Sequence, residues 1–245
     1  MAEGPVLALR FDAPMQSWGV RSRFTHRDTM QEPTKSGVVG VLGAALGIGR
    51  TDKPEIKQLA DLHMAVRVER EGIVERDYQV STDVPTTKGT GHRNVVSHRY
   101  YLADALFLVL LQGERALLER VAEAVQHPRW PLFFGRKAHV PASPLILAPE
   151  RGFGTGLRPE GSLEQALQEH PWQEERPELI KDIESDPWLR TVTDVEAHEP
   201  EREARYDVPV TFESGNRKFQ QRYVRVGRVP VPQSDAQPER ESPCT

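Results

Sequence analysis

The sequence contains very little cysteine: Cys244 is the only one among 245 residues. A disulfide bond within the chain and a cysteine-based metal cluster are therefore excluded. Long apolar runs are also lacking, since the two most apolar windows, residues 38–48 and 105–111, are too short to cross a bilayer. No basic segment followed by an apolar one opens the chain, so we predict no signal peptide. These absences predict a protein of the reducing cytoplasm that has no membrane contact.

The chain has fewer basic than acidic residues, 32 Lys and Arg against 36 Asp and Glu, and its formal net charge is −4. The acidic residues are concentrated in one segment. Residues 160–207 contain 15 Asp and Glu against 5 Lys and Arg, whereas the rest of the chain has 27 basic against 21 acidic residues. Since local field matters more than net charge for binding a polyanion, a nucleic-acid surface outside this segment is not excluded.

The apolar pattern predicts an α+β fold. Strands are predicted at residues 6–11, 63–70, 74–82, 105–111 and 145–147, with the third as hairpin partner of the second and the last as a short closing strand. Helices are predicted at residues 34–46 and 114–126. The order strand, helix, two strands, helix, strand indicates a ferredoxin-like domain of the RNA-recognition (RRM) type, a fold that many unrelated proteins share.

The predicted first helix begins with Thr34, Lys35 and Ser36, and carries Gly37 among its four glycines. Free amides at a helix start favour an anion, and no acidic residue follows at the position where one would complete a capping box, so a phosphate is a possible ligand. Ordinary capping by Thr34 or Ser36 is the equally open alternative. The glycines indicate close packing, either against a sheet or against RNA.

A polar and aromatic motif follows the first strand and contains Gln16, Trp18, Arg21 and Arg23. It combines a ring for stacking, an amide for base edges and positive charge for phosphates. The alternative is that Trp18 fixes a loop to the core.

Two stretches without any acidic residue, 84–103 and 126–148, carry clustered basic and aromatic residues. Such stretches are typical of contacts with a phosphate backbone, although a solvated loop or buried core aromatics remain alternatives. A third basic stretch, residues 217–228, includes Phe219 and Arg222 and is either a binding strand or a solvated edge strand. The candidate residues in the three stretches are Lys88, His92, Arg93, His98, Arg99, Arg129, Gly135, Arg136, Lys137 and Arg222.

Three motifs together resemble the CasD (Cas5-type) subunits of type I-E CRISPR Cascade complexes. They are RFDAPMQSWG, PTKSGVVGVLGAALGI and PLFFGRK, in this order. The third departs from the family pattern, because Ala138 and His139 stand where a Ser-Cys pair is usual, so no role is assigned to that pair.

This resemblance implies a non-catalytic subunit without cofactor or metal that binds the 5′ handle of the guide RNA (crRNA) in antiviral defence. It implies an RRM-like palm over residues 1–150 with a protruding thumb hairpin at about 77–101. The sequence pattern itself predicts a small C-terminal β-containing extension, with the acidic segment, over 151–230 and a disordered tail, rich in Pro, Ser, Gln and Glu, over 231–245. The implied partners are crRNA, CasC backbone subunits, the large CasA subunit and, through the complex, target DNA. The residues implied to line the handle are Gln16, Trp18, Arg21, Lys35, Ser36, Gly135, Arg136 and Lys137.

The main alternative is a metal-independent endoribonuclease that processes precursor crRNA. Such cleavage needs a group that activates the ribose 2′-hydroxyl and an acid for the leaving oxygen. The side chains of the right type are Lys88, His92, His98, Tyr100 and Tyr101. A scaffold that contacts only proteins is a third hypothesis, but it leaves the acid-free stretches unexplained.

Overall fold

The structure is a computed structural model that describes residues 3–20, 25–87, 89–147, 156–158, 160–182 and 186–232. Arg21 and Lys88, two of the predicted RNA contacts, lie outside the described residues, and so does most of the predicted tail. In the part of the chain that is described, no helix is long and apolar enough to span a membrane.

Strands and helices follow one another along the whole chain. In chain order they are β1 (Val6–Asp12), β2 (Met15–Gln16), β3 (His26–Arg27), α1 (Lys35–Leu46), α2 (Lys53–Ala60), β4 (His63–Arg70), β5 (Ile73–Pro85), β6 (His92–Ala103), β7 (Leu106–Gln112), α3 (Arg115–Gln126), β8 (Gly156–Arg158), α4 (Leu163–Glu169), α5 (Pro177–Asp182), β9 (Trp188–Val195), β10 (Glu203–Thr211) and β11 (Lys218–Pro230).

A seven-stranded antiparallel sheet in the order β10-β11-β9-β4-β7-β1-β8 forms the centre of the molecule. Both of its faces are covered in the middle. Phe107 and Val109 of β7 belong to the larger core, under α1, α2 and α3, whereas Leu108 and Leu110 pack with α4 in a second core. Because successive side chains of a strand point to opposite faces, a strand covered on both faces is mostly apolar, which explains the apolar run of β7 and the apolar residues on both faces of β1.

The predicted α+β fold is confirmed, and the main strands and helices occur where the apolar pattern placed them. Two details differ. Strand β5 pairs with β6 and not with β4. Residues 145–147 form no strand, and β8 pairs with β1 instead. The C-terminal segment contains strands β9, β10 and β11, which extend the central sheet beside β4.

A buried arginine, Arg67, fixes the acidic segment (residues 160–207) to the central sheet. Arg67 of β4 is fully buried and donates hydrogen bonds to the backbone carbonyls of Leu167, His170 and Pro171 at 2.6, 2.7 and 2.9 Å. Its charge is balanced by Glu69, whose Oε1 lies 2.6 Å from the Arg67 Nε. The end of α4 is thereby fixed to the second face of the sheet.

A long antiparallel hairpin, formed by β5 and β6, occupies the region predicted as the thumb. Most of its β5 residues are exposed, and within the described residues β5 pairs only with β6. At the base of the hairpin, β6 also pairs with the short strands β2 and β3. The hairpin therefore projects from the sheet while its base stays in contact with the palm.

Candidate nucleic-acid interface

A groove of about 1100 Å³ runs along the exposed face of α1. We call it the basic groove. It is lined by residues from β2–β3, α1, the base of the β5–β6 hairpin, the loop after α3 and the turn between β10 and β11. Its basic side chains are those of Arg27, Arg50, Arg99, Arg136, Lys137 and Arg217, and Asp28 is the only carboxylate that lines it in the described residues. The acid-free stretches of the sequence therefore meet in one place.

Helix α1 provides a smooth floor for the groove. Gly37 packs on Trp18 so closely that a Cβ at this position would lie 2.6 Å from the ring, whereas a Cβ at Gly40 would meet nothing within 4 Å. The helix is capped by Thr34, whose side chain accepts a hydrogen bond from the Gly37 amide at 3.2 Å. Gly37 thus permits close packing against the Trp18 ring, and Gly40 leaves the floor of the groove open; contact of the glycines with RNA stays a prediction.

The loop after α3 supplies part of the groove and is held in place by Gly135. This residue has φ of +90°, and a Cβ there would lie 1.9 Å from the Ser17 carbonyl oxygen. The Ser17 amide also donates to the Phe134 carbonyl at 3.0 Å. Gly135 therefore permits a close backbone approach to Ser17, which places the neighbouring Arg136 and Lys137 at the groove.

Three arginines lie together at the base of the long hairpin, and we call Arg27, Arg99 and Arg136 the arginine cluster. Arg27 of β3 is the register partner of Arg99 of β6, and the Arg136 guanidinium donates to the Tyr100 carbonyl at 2.6 Å. In the described part of the chain, none of the three has a carboxylate within ion-pair distance. Arg99 also has Asp77 of β5 as a register partner, so one carboxylate lies near the three arginines without forming an ion pair with them. The like charges of Arg27 and Arg99 on paired strand positions still leave net positive charge that a bound anion would neutralise.

Nearby positive charge contributes to lowered pKa values of two residues at the groove, Arg136 and His139. Partial burial and the nearby charges of Arg99 and Arg27 lower the pKa of Arg136, although Asp77 opposes this. Burial and the charge of Arg136 likewise lower the pKa of His139, whose Nδ1 lies 3.2 Å from the Ser17 hydroxyl. His139 is thus kept neutral beside the cluster, and an approaching phosphate would favour the charged forms of both groups.

The arginines of β11 have the opposite surroundings. Arg222 donates to both carboxylate oxygens of Asp207, at 2.7 and 2.9 Å, and also contacts Asp194. Asp194 accepts a hydrogen bond from the Lys35 ammonium at 2.7 Å. The Lys35 backbone amide donates to Asp207 at 2.8 Å. The four side chains form a buried network of two positive and two negative charges.

Four of the predicted RNA contacts are therefore corrected, because their side chains are already used inside the protein. Gln16 is fully buried and donates to the carbonyls of Phe11 and Ala105. Trp18 borders the groove but is only 1% exposed, because it packs against Phe11 and Phe134. Lys35 and Arg222 belong to the buried network, and Asp207 takes the place of the predicted phosphate at the start of α1.

The remaining predicted residues divide into two groups. Those that line the basic groove are Ser36, Arg99, Gly135, Arg136 and Lys137. Those that do not are His92, Arg93 and His98 on the long hairpin and Arg129, which packs over Gly47 beyond the end of α1.

Several residues that line the groove were not among the predicted RNA contacts. Arg27 and Arg50 lie outside the three basic stretches, and only the register of β3 with β6 or the turn after α1 brings them to the groove. Arg217 and Phe219 belong to the third basic stretch, from which only Arg222 was predicted as a contact. Asp194 and Asp207, which are distant in sequence from the groove, pair with Arg222 and leave Arg217 exposed.

The chain is similar to known CRISPR-associated proteins over nearly its whole length. A family model described as CRISPR-associated protein (Cas5) matches residues 6–225. The CRISPR system Cascade subunit CasD of Escherichia coli K12 is 32% identical over 155 residues, which cover 58% of this chain and 69% of that protein.

Solved structures agree with this match. A crystal structure of a Cas protein is 37% identical, with a TM-score of 0.68 over 92% of this chain and 95% of that one. A chain of a CRISPR RNA-guided surveillance complex is 28% identical, with a TM-score of 0.70 over 96% of this chain and 95% of that one. Because the family match spans most of the chain and the fold agrees, the chain belongs to the Cas5 family of CRISPR-associated proteins.

Proposed function

We propose that this protein is a non-catalytic subunit of a CRISPR surveillance complex of the Cascade type, and that its basic groove binds the 5′ handle of the guide RNA. The family membership and the similarity to CasD and to a surveillance-complex chain support the first part. The observation that carries the second part is the arginine cluster, whose three positive charges have no carboxylate partners in the described residues.

The chemistry of the groove fits an unpaired RNA segment. Phosphates neutralise guanidinium groups through short, charge-assisted hydrogen bonds, and single-stranded nucleic acid also offers base rings for contacts with aromatic side chains. Trp130 and Phe219 line the groove and are 44% and 41% exposed. The long hairpin rises beside the cluster, since Arg99 belongs to β6, and it is positioned to cover RNA that leaves the groove.

The partners of this function are crRNA itself, CasC backbone subunits and the large CasA subunit, with target DNA reached only through the assembled complex. The exposed long hairpin and the exposed surface of the central sheet are available for these protein contacts. The complex acts in the cytoplasm.

RNA binding is tested by fluorescence anisotropy with a labelled RNA of the host's repeat-derived handle sequence. The Arg99→Ala/Arg136→Ala double variant is expected to bind this RNA at least 10-fold more weakly than the parent, about 1.4 kcal/mol for the loss of two phosphate contacts. Arg120→Ala is the matched control, because Arg120 is exposed on α3 and does not line the groove. Equal affinity of the double variant and the parent would refute handle binding in this groove.

The endoribonuclease hypothesis has less support in the geometry. His92 lies beside Asp83 near the end of the long hairpin, with 3.7 Å between Nδ1 and Oδ1, whereas His98 contacts the ring of Tyr78. Six residues of strand separate the two histidines, about 20 Å. Tyr101 instead lies next to His139, at 6.0 Å between ring centroids.

Catalysis is tested by incubating the purified protein with a repeat-containing RNA. The RNA is expected to stay intact. Cleavage that disappears when the ribose at the cut site is replaced by 2′-deoxyribose would establish the nuclease and overturn the proposed non-catalytic role.

A further inference from the structure

The turn between β10 and β11 supplies residues to the basic groove although it is far from the palm in sequence. Phe212, Arg217 and Phe219 all line the groove. Arg217 is exposed and has no carboxylate within ion-pair distance in the described part of the chain. We call the β10–β11 unit the C-terminal hairpin.

The C-terminal hairpin is fixed along the whole length of α1. At the start of the helix, Asp207 accepts a hydrogen bond from the Lys35 amide at 2.8 Å. Beyond its end, the Arg50 carbonyl accepts hydrogen bonds from the Phe212 amide at 3.1 Å and from the Thr211 hydroxyl at 3.4 Å. The six residues from Asp207 to Phe212 cover five strand rises, about 17 Å, which is close to the roughly 18 Å length of the 12-residue helix α1.

The side chains that the C-terminal hairpin contributes to the groove differ from those of the arginine cluster. The cluster offers three guanidinium groups, whereas the C-terminal hairpin offers two rings and one cation. Phe219 is 41% exposed and lines the groove, so a ligand in the groove would bury apolar surface of its ring. Unpaired nucleotides carry both kinds of group that this groove can satisfy, phosphates on one side and flat base rings on the other.

We propose that the C-terminal hairpin is the base-binding wall of the groove, with Phe219 stacking on an unpaired base and Arg217 contacting the adjoining phosphate. This inference rests on the proposed function, since it assigns the bases of the same RNA to a wall outside the palm. The ligand class that follows is single-stranded RNA, because a duplex hides its base faces from Phe219. Asp207, Lys35 and Arg222 act as positioning residues that fix this wall against α1.

The test compares Phe219→Ala and Arg217→Ala with matched controls on the same hairpin. The controls are Tyr206→Ala and Arg228→Ala, because Tyr206 and Arg228 are 60% and 67% exposed and do not line the groove. Anisotropy is measured with the handle RNA and with the same RNA carrying abasic residues. Phe219→Ala is expected to weaken binding of the intact RNA between about 5-fold and 150-fold, the range known for one stacked base.

Binding to the abasic RNA distinguishes base stacking by Phe219 from its other contacts. If Phe219 stacks on a base, the parent loses affinity for the abasic RNA, and Phe219→Ala causes no further loss. Phe219→Leu retains apolar volume without a ring and is expected to behave like Phe219→Ala, which separates stacking from a general loss of packing. Thermal unfolding of each variant confirms that the fold is retained.

Three results would overturn the inference. Unchanged affinity of Phe219→Ala, an equal loss for Tyr206→Ala, or the same loss for Phe219→Ala on abasic and intact RNA each contradict base stacking at this wall. If Arg99→Ala/Arg136→Ala still weakens binding in these cases, the proposed function stands and only the C-terminal wall fails. If the double variant also has no effect, both fail.

Discussion

Arginines lie close together both on β11 and at the base of the long hairpin, yet their surroundings differ. Arg222, Arg225 and Arg228 each have a carboxylate partner, supplied by the acidic segment. Arg27, Arg99 and Arg136 have none in the described residues, and two of them are register partners on adjacent strands. The acidic segment thus neutralises one basic region and leaves the other available for a polyanion.

The difference teaches that pairing, and not the density of basic residues, identifies a binding surface. A buried arginine that already contacts two carboxylates gains little from a phosphate and would lose its present partners. An arginine that has no carboxylate within ion-pair distance gains from any anion that approaches. Each change described below affects either the paired arginines and their network or the unpaired arginine cluster.

The largest effect is expected at Arg222, where Arg222→Met removes one partner of the buried network. Asp194 and Asp207 then keep their charges with less compensation, so the free energy of unfolding is expected to fall by about 3–5 kcal/mol. Urea denaturation measures the loss. Arg228→Met is the control, since this exposed residue on the same strand is expected to change stability by less than about 0.5 kcal/mol. Equal stability of the two variants would show that the network contributes no more than a surface pair.

An intermediate effect on the free energy of unfolding is expected when the pH is lowered and Asp194 of the same network becomes protonated. Burial raises the pKa of Asp194, but the charges of Lys35 and Arg222 outweigh it, and the net pKa is lower than that of a free aspartate. A lowered pKa in the folded state adds stability at pH values above the unfolded pKa of about 3.9, and this stability is lost as the pH falls through the folded pKa.

Denaturation of the parent and of Asp194→Asn from pH 7 to pH 2 measures this contribution. The stability difference between the two proteins is expected to be constant at neutral pH and to shrink below about pH 4. A difference that stays constant down to pH 2 would contradict a charged Asp194 in the network.

The smallest effect is expected at Arg225, which lies near the surface and pairs with Glu199. Arg225→Ala is expected to change the free energy of unfolding by no more than about 1 kcal/mol and to leave the affinity for handle RNA unchanged. Anisotropy with the handle RNA checks the second part. A loss of affinity as large as that of an arginine-cluster variant would break the contrast, because a paired arginine would then also bind RNA.

Much of the fold was predictable because apolar periodicity is local. Strands β1 and β7 and helices α1 and α3 occur within about one residue of their predicted bounds. Pairing was not predictable in the same way. Strand β5 follows β4 after a short turn yet pairs with β6, and β9 lies within the acidic segment, where its apolar residues were obscured by charge.

The site was predictable as a set of segments and much less as individual side chains. The acid-free stretches do meet at the groove, and Arg99, Arg136 and Lys137 line it as expected. Lys35 was taken for a ligand contact because its partners, Asp194 and Asp207, lie about 160 and 170 residues away in the sequence. Trp18 was open between two roles, and its packing against Phe11 and Phe134 decides for the core.

The salt dependence of RNA binding tests the unpaired arginine cluster most directly. Each phosphate contact with single-stranded RNA contributes about 0.7 to the slope of log affinity against log salt concentration. The Arg27→Ala/Arg99→Ala/Arg136→Ala triple variant is therefore expected to show a slope shallower by about 2 than the parent, while Arg225→Ala keeps the parent slope. Equal slopes for the triple variant and the parent would contradict phosphate binding by the cluster.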